Sequence, residues 1–145
     1  MMNATGKFHE MGQSLWLENI TRSLLTSGTL RRYIQGLSVT GLTSNPTIFD
    51  HAIKNSHDYD DSVLQKLTTG KSTESLFFGL ALEDHTHAAD LVRPIHDLTN
   101  GVDGWVSLEV SPLLVRDSSG TLAAAKALHA RAERPNLFIK IQGTK

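Results

Sequence analysis

Four short strand-like runs, each separated from the next by chain that reads as helix, constrain this sequence more than any other feature. SLWLENI (14–20), SVTGLTSN (38–45), GWVSLEV (104–110) and NLFIKI (136–141) are the strand candidates. Between the first two, TRSLLTSG is turn-like or helical and TLRRYIQG makes a short helix. PTIFDHAIKNS begins another, with Pro46 suited to its first turn, and residues 57–69 read as one more. A longer helix is expected from Thr73 to Leu98, because Phe77, Leu80, Ala81, Ala88, Leu91, Val92, Ile95 and Leu98 recur near a 3.6-residue period. Ser72 is placed to cap it, and Pro94 is expected to bend or break it. TNGVDG supplies a turn, and TLAAAKALHARAE (121–133) the last helix. Strands alternating with helices imply an α/β fold with a mainly parallel sheet.

Side chains alternate across a strand, so the residues that share a face can be read directly. Ser14, Trp16 and Glu18 point together, as do Gly41, Thr43 and Asn45, then Trp105, Ser107 and Glu109, then Phe138 and Lys140. The opposite faces carry Leu15 and Leu17, Thr40 and Leu42, Val106, Leu108 and Val110, and Leu137, Ile139 and Ile141. Each strand therefore has an apolar side fit to lie under helices and a second side that ends in a polar group near its C-terminus. That pattern suits the functional rim of a (β/α) barrel. An open doubly wound sheet also binds ligands at its strand ends, so periodicity leaves both architectures open.

A lysine at a strand end can attack a ketone or aldehyde to form a Schiff base once it has shed its proton. A carboxylate is then needed to move protons during carbinolamine dehydration and carbon–carbon cleavage. Lys140 is the candidate amine, Glu18 and Glu109 the candidate carboxylates, and Asn45 and Thr43 candidates for holding substrate oxygens. The competing reading is a strand-end lysine that merely snorkels to water and glutamates that are solvated or paired.

GQSLWLENITR (12–22), GLTSNPTIFDHAI (41–53), DGWVSLEVSP (103–112) and NLFIKIQGT (136–144) closely resemble the bacterial transaldolases. The resemblance implies a (β/α)8 TIM barrel of the pentose phosphate pathway. Such an enzyme moves a dihydroxyacetone unit from sedoheptulose 7-phosphate to glyceraldehyde 3-phosphate, with no metal or organic cofactor. By the same resemblance Lys140 is the Schiff-base lysine, and Glu109 assists proton transfer through a water. Asn45 binds the dihydroxyacetone moiety, with Thr43 and Ser44 in the same loop. Glu18 falls where the family has an aspartate that deprotonates the C4 hydroxyl. Segments TSNPTIF and VSLEVSP argue against other Schiff-base aldolases.

Three departures from the family pattern follow. Glu18 is one methylene longer than the aspartate it replaces, and a displacement of about 1 Å can cost on the order of 100-fold in rate. Gln142 stands where proline is usual. The third is length: 145 residues hold only the first four strands, whereas a full barrel takes about 250 residues. The expectation is a loose leader at 1–11 followed by a half-barrel at 12–145, truncated after its Schiff-base strand and weak in activity alone. Open sheet edges would invite self-association, and the alternative function is a non-catalytic half-barrel that pairs with a partner chain.

Composition removes several other classes. Without cysteine there is no disulfide, thiolate metal site or cysteine nucleophile. A net charge of -1 offers no field for nucleic acid, and the Arg31–Arg32 pair is too small a basic patch. No apolar run nears the roughly 20 residues of a membrane span, and the start lacks a signal-peptide core, so a cytoplasmic location is expected. Seven histidines raise a metal site, but His85 and His87 are two apart and are read as ordinary, partly exposed helix positions. Trp16 and Trp105 are read as interior filling rather than ligand stacking.

Overall fold

The computed structural model describes residues 3–68, 70 and 72–143. The first two leader residues, residue 69 of the helical stretch expected at 57–69 and Thr144 of the last motif lie outside them. Helix α1 (Ala4–Glu10) is followed by β1 (Leu15–Glu18), α2 (Arg22–Thr26), α3 (Thr29–Leu37) and β2 (Val39–Thr43). Next come α4 (Pro46–Lys54), a 3₁₀ turn (His57–Tyr59), α5 (Asp60–Leu67) and α6 (Thr73–Leu98). Strand β3 (Trp105–Glu109), a second 3₁₀ turn (Pro112–Leu114), α7 (Ser118–Ala132) and β4 (Leu137–Lys140) complete the order.

The strands form one sheet in the order β1-β2-β3-β4, with every pair parallel. This is the alternating α/β architecture expected, with four parallel strands in sequence order as in half of a TIM barrel. Register carries the face assignment through the sheet. Trp16 lies opposite Gly41, and Gly41 opposite Trp105. One layer up, Glu18, Thr43, Ser107 and Phe138 follow one another across all four strands. At the top Glu109 lies opposite Lys140.

The helix-facing side holds the core. Leu42, Val106, Leu108, Val110 and Leu137 pack with Leu80, Ala81, Ala88, Ala89 and Val92 of α6, and with Ile20, Leu24, Leu25 and Leu30 before β2. Ile141, read with this face, is 56% exposed. On the other side Phe138 sits between Trp16 and Trp105, with centroid distances of 5.8 Å to each. Gly41 is required beneath this aromatic layer, because a methyl there would run into the Trp16 indole. The two tryptophans thus fill the inner face, as expected.

Capping explains most helix starts. Side-chain oxygens of Thr21, Asn45, Ser72 and Asp117 accept from the backbone N–H of Leu24, Ile48, Ser75 and Gly120. Asp117 starts α7 three residues earlier than the apolar pattern suggests. Within the stretch read as a leader, Asn3 Oδ1 accepts from Gly6 N at 2.8 Å, its amide donates to the carbonyl of Gly36 in α3, and residues 4–10 are helical.

Of the bend or break expected at Pro94, the break does not occur: α6 is continuous from Thr73 to Leu98. Losing one backbone bond there costs about 3 kcal/mol, and the buried row Ala88, Ala89, Val92 packed on the sheet offsets it. Leu98, counted on the apolar face, is 85% exposed because α6 ends at that residue and the chain turns away. The strand alternation also has one exception. The β1–β2 ladder slips between Leu15 and Trp16, and there Ser14 and Thr40, read on opposite faces, both donate to Asp103.

Candidate functional site

Lys140 is the last residue of β4, and its neighbour in register on β3 is Glu109. Parallel strands place the two side chains on the same face, so the pair follows from register alone. Nζ of Lys140 stands 3.0 Å from Oε2 of Glu109, with the lysine side chain 38% and the glutamate side chain 14% exposed. The other carboxylate oxygen is also engaged: Gln142 Nε2 donates to Oε1 at 3.1 Å and to the Val110 carbonyl at 3.4 Å.

A second cluster sits at the ends of β1 and β2. Asn45 starts α4, with Pro46 at the first helical position, where its missing N–H has no partner to lose. Its Oδ1 accepts from Ile48 N at 2.9 Å, which fixes the amide so that Nδ2 donates toward Oε1 of Glu18 at 3.5 Å. Glu18 is exposed at the end of its strand. Cap and substrate-binding candidate are thus one side chain, with its carbonyl used by the helix and its amide nitrogen turned to Glu18.

Between the clusters lie two hydroxyls. Thr43 Oγ1 and Ser107 Oγ are opposite each other in register, buried, and without a hydrogen-bond partner. A buried hydroxyl left unbonded by the protein costs about 1–3 kcal/mol, and both lie on the face that also carries Lys140, Glu109, Glu18 and Asn45.

The sequence candidates Lys140, Glu109, Glu18, Asn45 and Thr43 are therefore brought to one face. Ser44 is set apart. Strand alternation turns it to the helix side, where it is 2% exposed and lines a cavity of about 10 Å³ with Phe49, His85 and Leu108. Two residues escaped the sequence reading. Ser107 was on the correct face but not counted among the candidates, although its period-2 position beneath Glu109 signals it. Gln142 was noted for replacing a proline, but nothing in a linear sequence reveals its bond to Glu109.

His85 also differs from expectation. It is 1% exposed, not partly exposed, because it shares the α6 face of Ala81, Ala88 and Val92. Its Nδ1 lies 2.7 Å from the Ala81 carbonyl, so Nδ1 carries the proton and Nε2 is an acceptor without a protein donor. Burial pushes its pKa down to about 4. Among the described residues no group of three or more histidines, aspartates or glutamates could hold a metal ion, and no helix is long and apolar enough to cross a membrane.

Comparison with known proteins places this geometry in a family. The model of the transaldolase/fructose-6-phosphate aldolase family matches residues 15–145. A transaldolase of Arthrobacter sp. strain FB24 is 39% identical over 144 residues, covering 99% of this chain and 39% of the relative. One from Thiobacillus denitrificans is 41% identical over 143 residues, covering 99% and 40%. One from Thermobifida fusca is 43% identical over 135 residues, covering 93% and 37%. The chain spans about two fifths of the length of these relatives.

Proposed function

Since the chain belongs to the transaldolase/fructose-6-phosphate aldolase family, we propose that Lys140 forms a Schiff base with a ketose phosphate and that the strand ends carry transaldolase chemistry. The observation that carries this reading is the 3.0 Å approach of Lys140 to Glu109 on the face that also holds Glu18 and Asn45. Deprotonated Lys140 attacks the ketose carbonyl carbon, forming a C–N bond and a carbinolamine hydroxyl. Glu109, through a water, supplies the proton with which that hydroxyl departs as water, leaving the iminium. Glu18 then takes the proton of the C4 hydroxyl, the C3–C4 bond breaks with its electron pair moving into the iminium to give an enamine, and the C4 fragment departs as an aldose phosphate. Asn45 and Thr43 hold oxygens of the dihydroxyacetone part. The enamine next attacks an acceptor aldose phosphate such as glyceraldehyde 3-phosphate. The steps need no metal or organic cofactor, and the setting is cytoplasmic carbohydrate metabolism.

Residues 12–145 in this reading supply the first four units of an eight-stranded barrel, so activity of this chain alone is expected to be weak. The test is borohydride reduction of the purified chain with fructose 6-phosphate, read by intact mass and peptide mapping beside a full-length transaldolase. An adduct on Lys140 that depends on borohydride supports the reading. No adduct from folded chain, with the control trapped, sinks it.

A second reading is favoured by the exposure of Phe138 (39%) and Ile141 (56%) on the edge strand and just beyond it. β1 and β4 each pair on one side only among the described residues, and such edges invite further pairing. In this reading the chain is a non-catalytic half-barrel that associates with itself or another chain. Sedimentation as a defined dimer without an adduct would favour it.

A further inference from the structure

We propose that Gln142 is a positioning residue for Glu109, holding the carboxylate in place while Lys140 changes from ammonium to imine. The inference rests on the Schiff-base reading above and adds a role for a residue outside the family pattern. Glu109 has two donors in the resting site, Lys140 on Oε2 and Gln142 on Oε1. Only the second is unchanged by the chemistry. The ammonium of Lys140 has three N–H bonds; the carbinolamine nitrogen keeps one, and the iminium nitrogen one, directed by its bond to the substrate carbon. Oε2 therefore faces a neutral nitrogen with a single N–H at the carbinolamine stage, where a carboxylate must shuttle a proton.

The amide of Gln142 does not change. Its nitrogen has two hydrogens and two acceptors at the end of β3, Glu109 Oε1 and the Val110 carbonyl. Val110 N in turn donates to the Lys140 carbonyl at 3.1 Å, so β3 and β4 are tied at the level of the site. Gln142 thus spans from the backbone to the carboxylate and leaves Oε2 turned toward the reacting nitrogen. A proline at this position would have no donor for Oε1. An amide is also untitratable, so the hold is the same at any working pH.

Two measurements test the assignment. The first needs no turnover: the Gln142 side-chain amide signals in a ¹H–¹⁵N spectrum are compared between the chain and Glu109→Gln. A shift of the Gln142 amide protons supports the contact, and unchanged signals overturn the proposal. The second follows the rate of borohydride-trappable adduct with fructose 6-phosphate in the chain, Gln142→Ala and Gln142→Asn. Gln142→Ala is expected to slow adduct formation about 10- to 100-fold with the half-saturating sugar concentration unchanged. Gln142→Asn, one methylene short, is expected not to restore the rate. An equal rate in Gln142→Ala, or a change only in half-saturation, overturns the proposal and leaves the Lys140 reading standing. No adduct from the unsubstituted chain overturns the Lys140 reading and this role together, while the amide comparison still decides the contact.

Discussion

On the helix side of the sheet, Arg22, Tyr59 and Asp84 use nearly every polar atom they have; on the other side, Thr43 and Ser107 use neither hydroxyl. Asp84, 2% exposed, accepts from Arg22 Nε at 2.9 Å and from Tyr59 OH at 2.8 Å. Tyr59 OH accepts from Arg22 N at 2.9 Å, and the guanidinium lies 4.8 Å above the Tyr59 ring. Burial and the Asp84 charge push the tyrosine's pKa well up, and burial raises that of Asp84 against the opposing pull of Arg22. The network joins α2, the first 3₁₀ turn and α6, and every hydrogen bond closes inside the protein. At the strand ends, by contrast, the ion pair is partly open and the neighbouring hydroxyls are unmatched. One region uses its polar groups to fix the packing, and the other holds hydroxyls that no protein group satisfies.

The largest expected effect separates the two regions by stability. Asp84→Ala leaves Arg22 and the Tyr59 hydroxyl without their buried acceptor, and breaking such a pair costs about 3–5 kcal/mol. Lys140→Met removes a side chain that is 38% exposed and is expected to change stability by no more than about 1 kcal/mol while abolishing the trapped adduct. Urea denaturation of both variants checks the contrast. Equal losses would mean that the strand-end pair is as structural as the outer network.

The second effect sharpens the comparison through pH. His85 has a folded pKa of about 4 against an ordinary 6.5, because burial disfavours its charged form. Above pH 6.5 it is neutral folded and unfolded, and contributes no pH dependence. As pH falls from 6.5 toward 4, the unfolded chain takes up a proton that the folded chain refuses, so stability declines by on the order of 3 kcal/mol. Asp84, with its carboxyl raised, has the opposite slope: its contribution is present at low pH and lost as pH rises through its folded value. Glu109 also lines the cavity beside His85. The measurement is therefore the difference between the chain and His85→Leu, followed by urea midpoints from pH 7 to pH 4. A constant difference across that range would place an acceptor at the protonated Nε2 that compensates the charge.

This contrast also sets how much of the molecule could be read from its sequence. The strands, their parallel order and the shared face of Glu18, Thr43, Glu109 and Lys140 follow from alternation, since register in a parallel sheet keeps same-face residues together. The Arg22–Tyr59–Asp84 network was illegible, because its members are up to 62 residues apart and come from three elements with unrelated periods. His85 was legible in part. Its helical phase with Ala81 and Val92 gives its burial, and reading it by metal spacing alone obscured that. That α6 continues through Pro94 is not legible locally, because the sheet it covers is not part of its own propensity. Ser44 joined the candidates through the motif, though the same alternation that selected Thr43 and Asn45 turns it away.

The smallest effect is the one most specific to the strand-end region. Ser107→Ala deletes a buried hydroxyl that has no partner, so the protein gains by no longer desolvating it and loses only a small packing contact. The expected result is a stability change within about 1 kcal/mol, neutral or favourable. A hydroxyl tied into the fold, such as that of Tyr59, would give a loss when removed as Tyr59→Phe, of about 1–3 kcal/mol. Should Ser107→Ala be stability-neutral and also weaken sugar phosphate binding, the unused hydroxyl is a ligand contact kept at the fold's expense. If it destabilises the chain as Tyr59→Phe does, Ser107 belongs to the structural class, and the division between the two faces of the sheet fails at the residue where it is easiest to test.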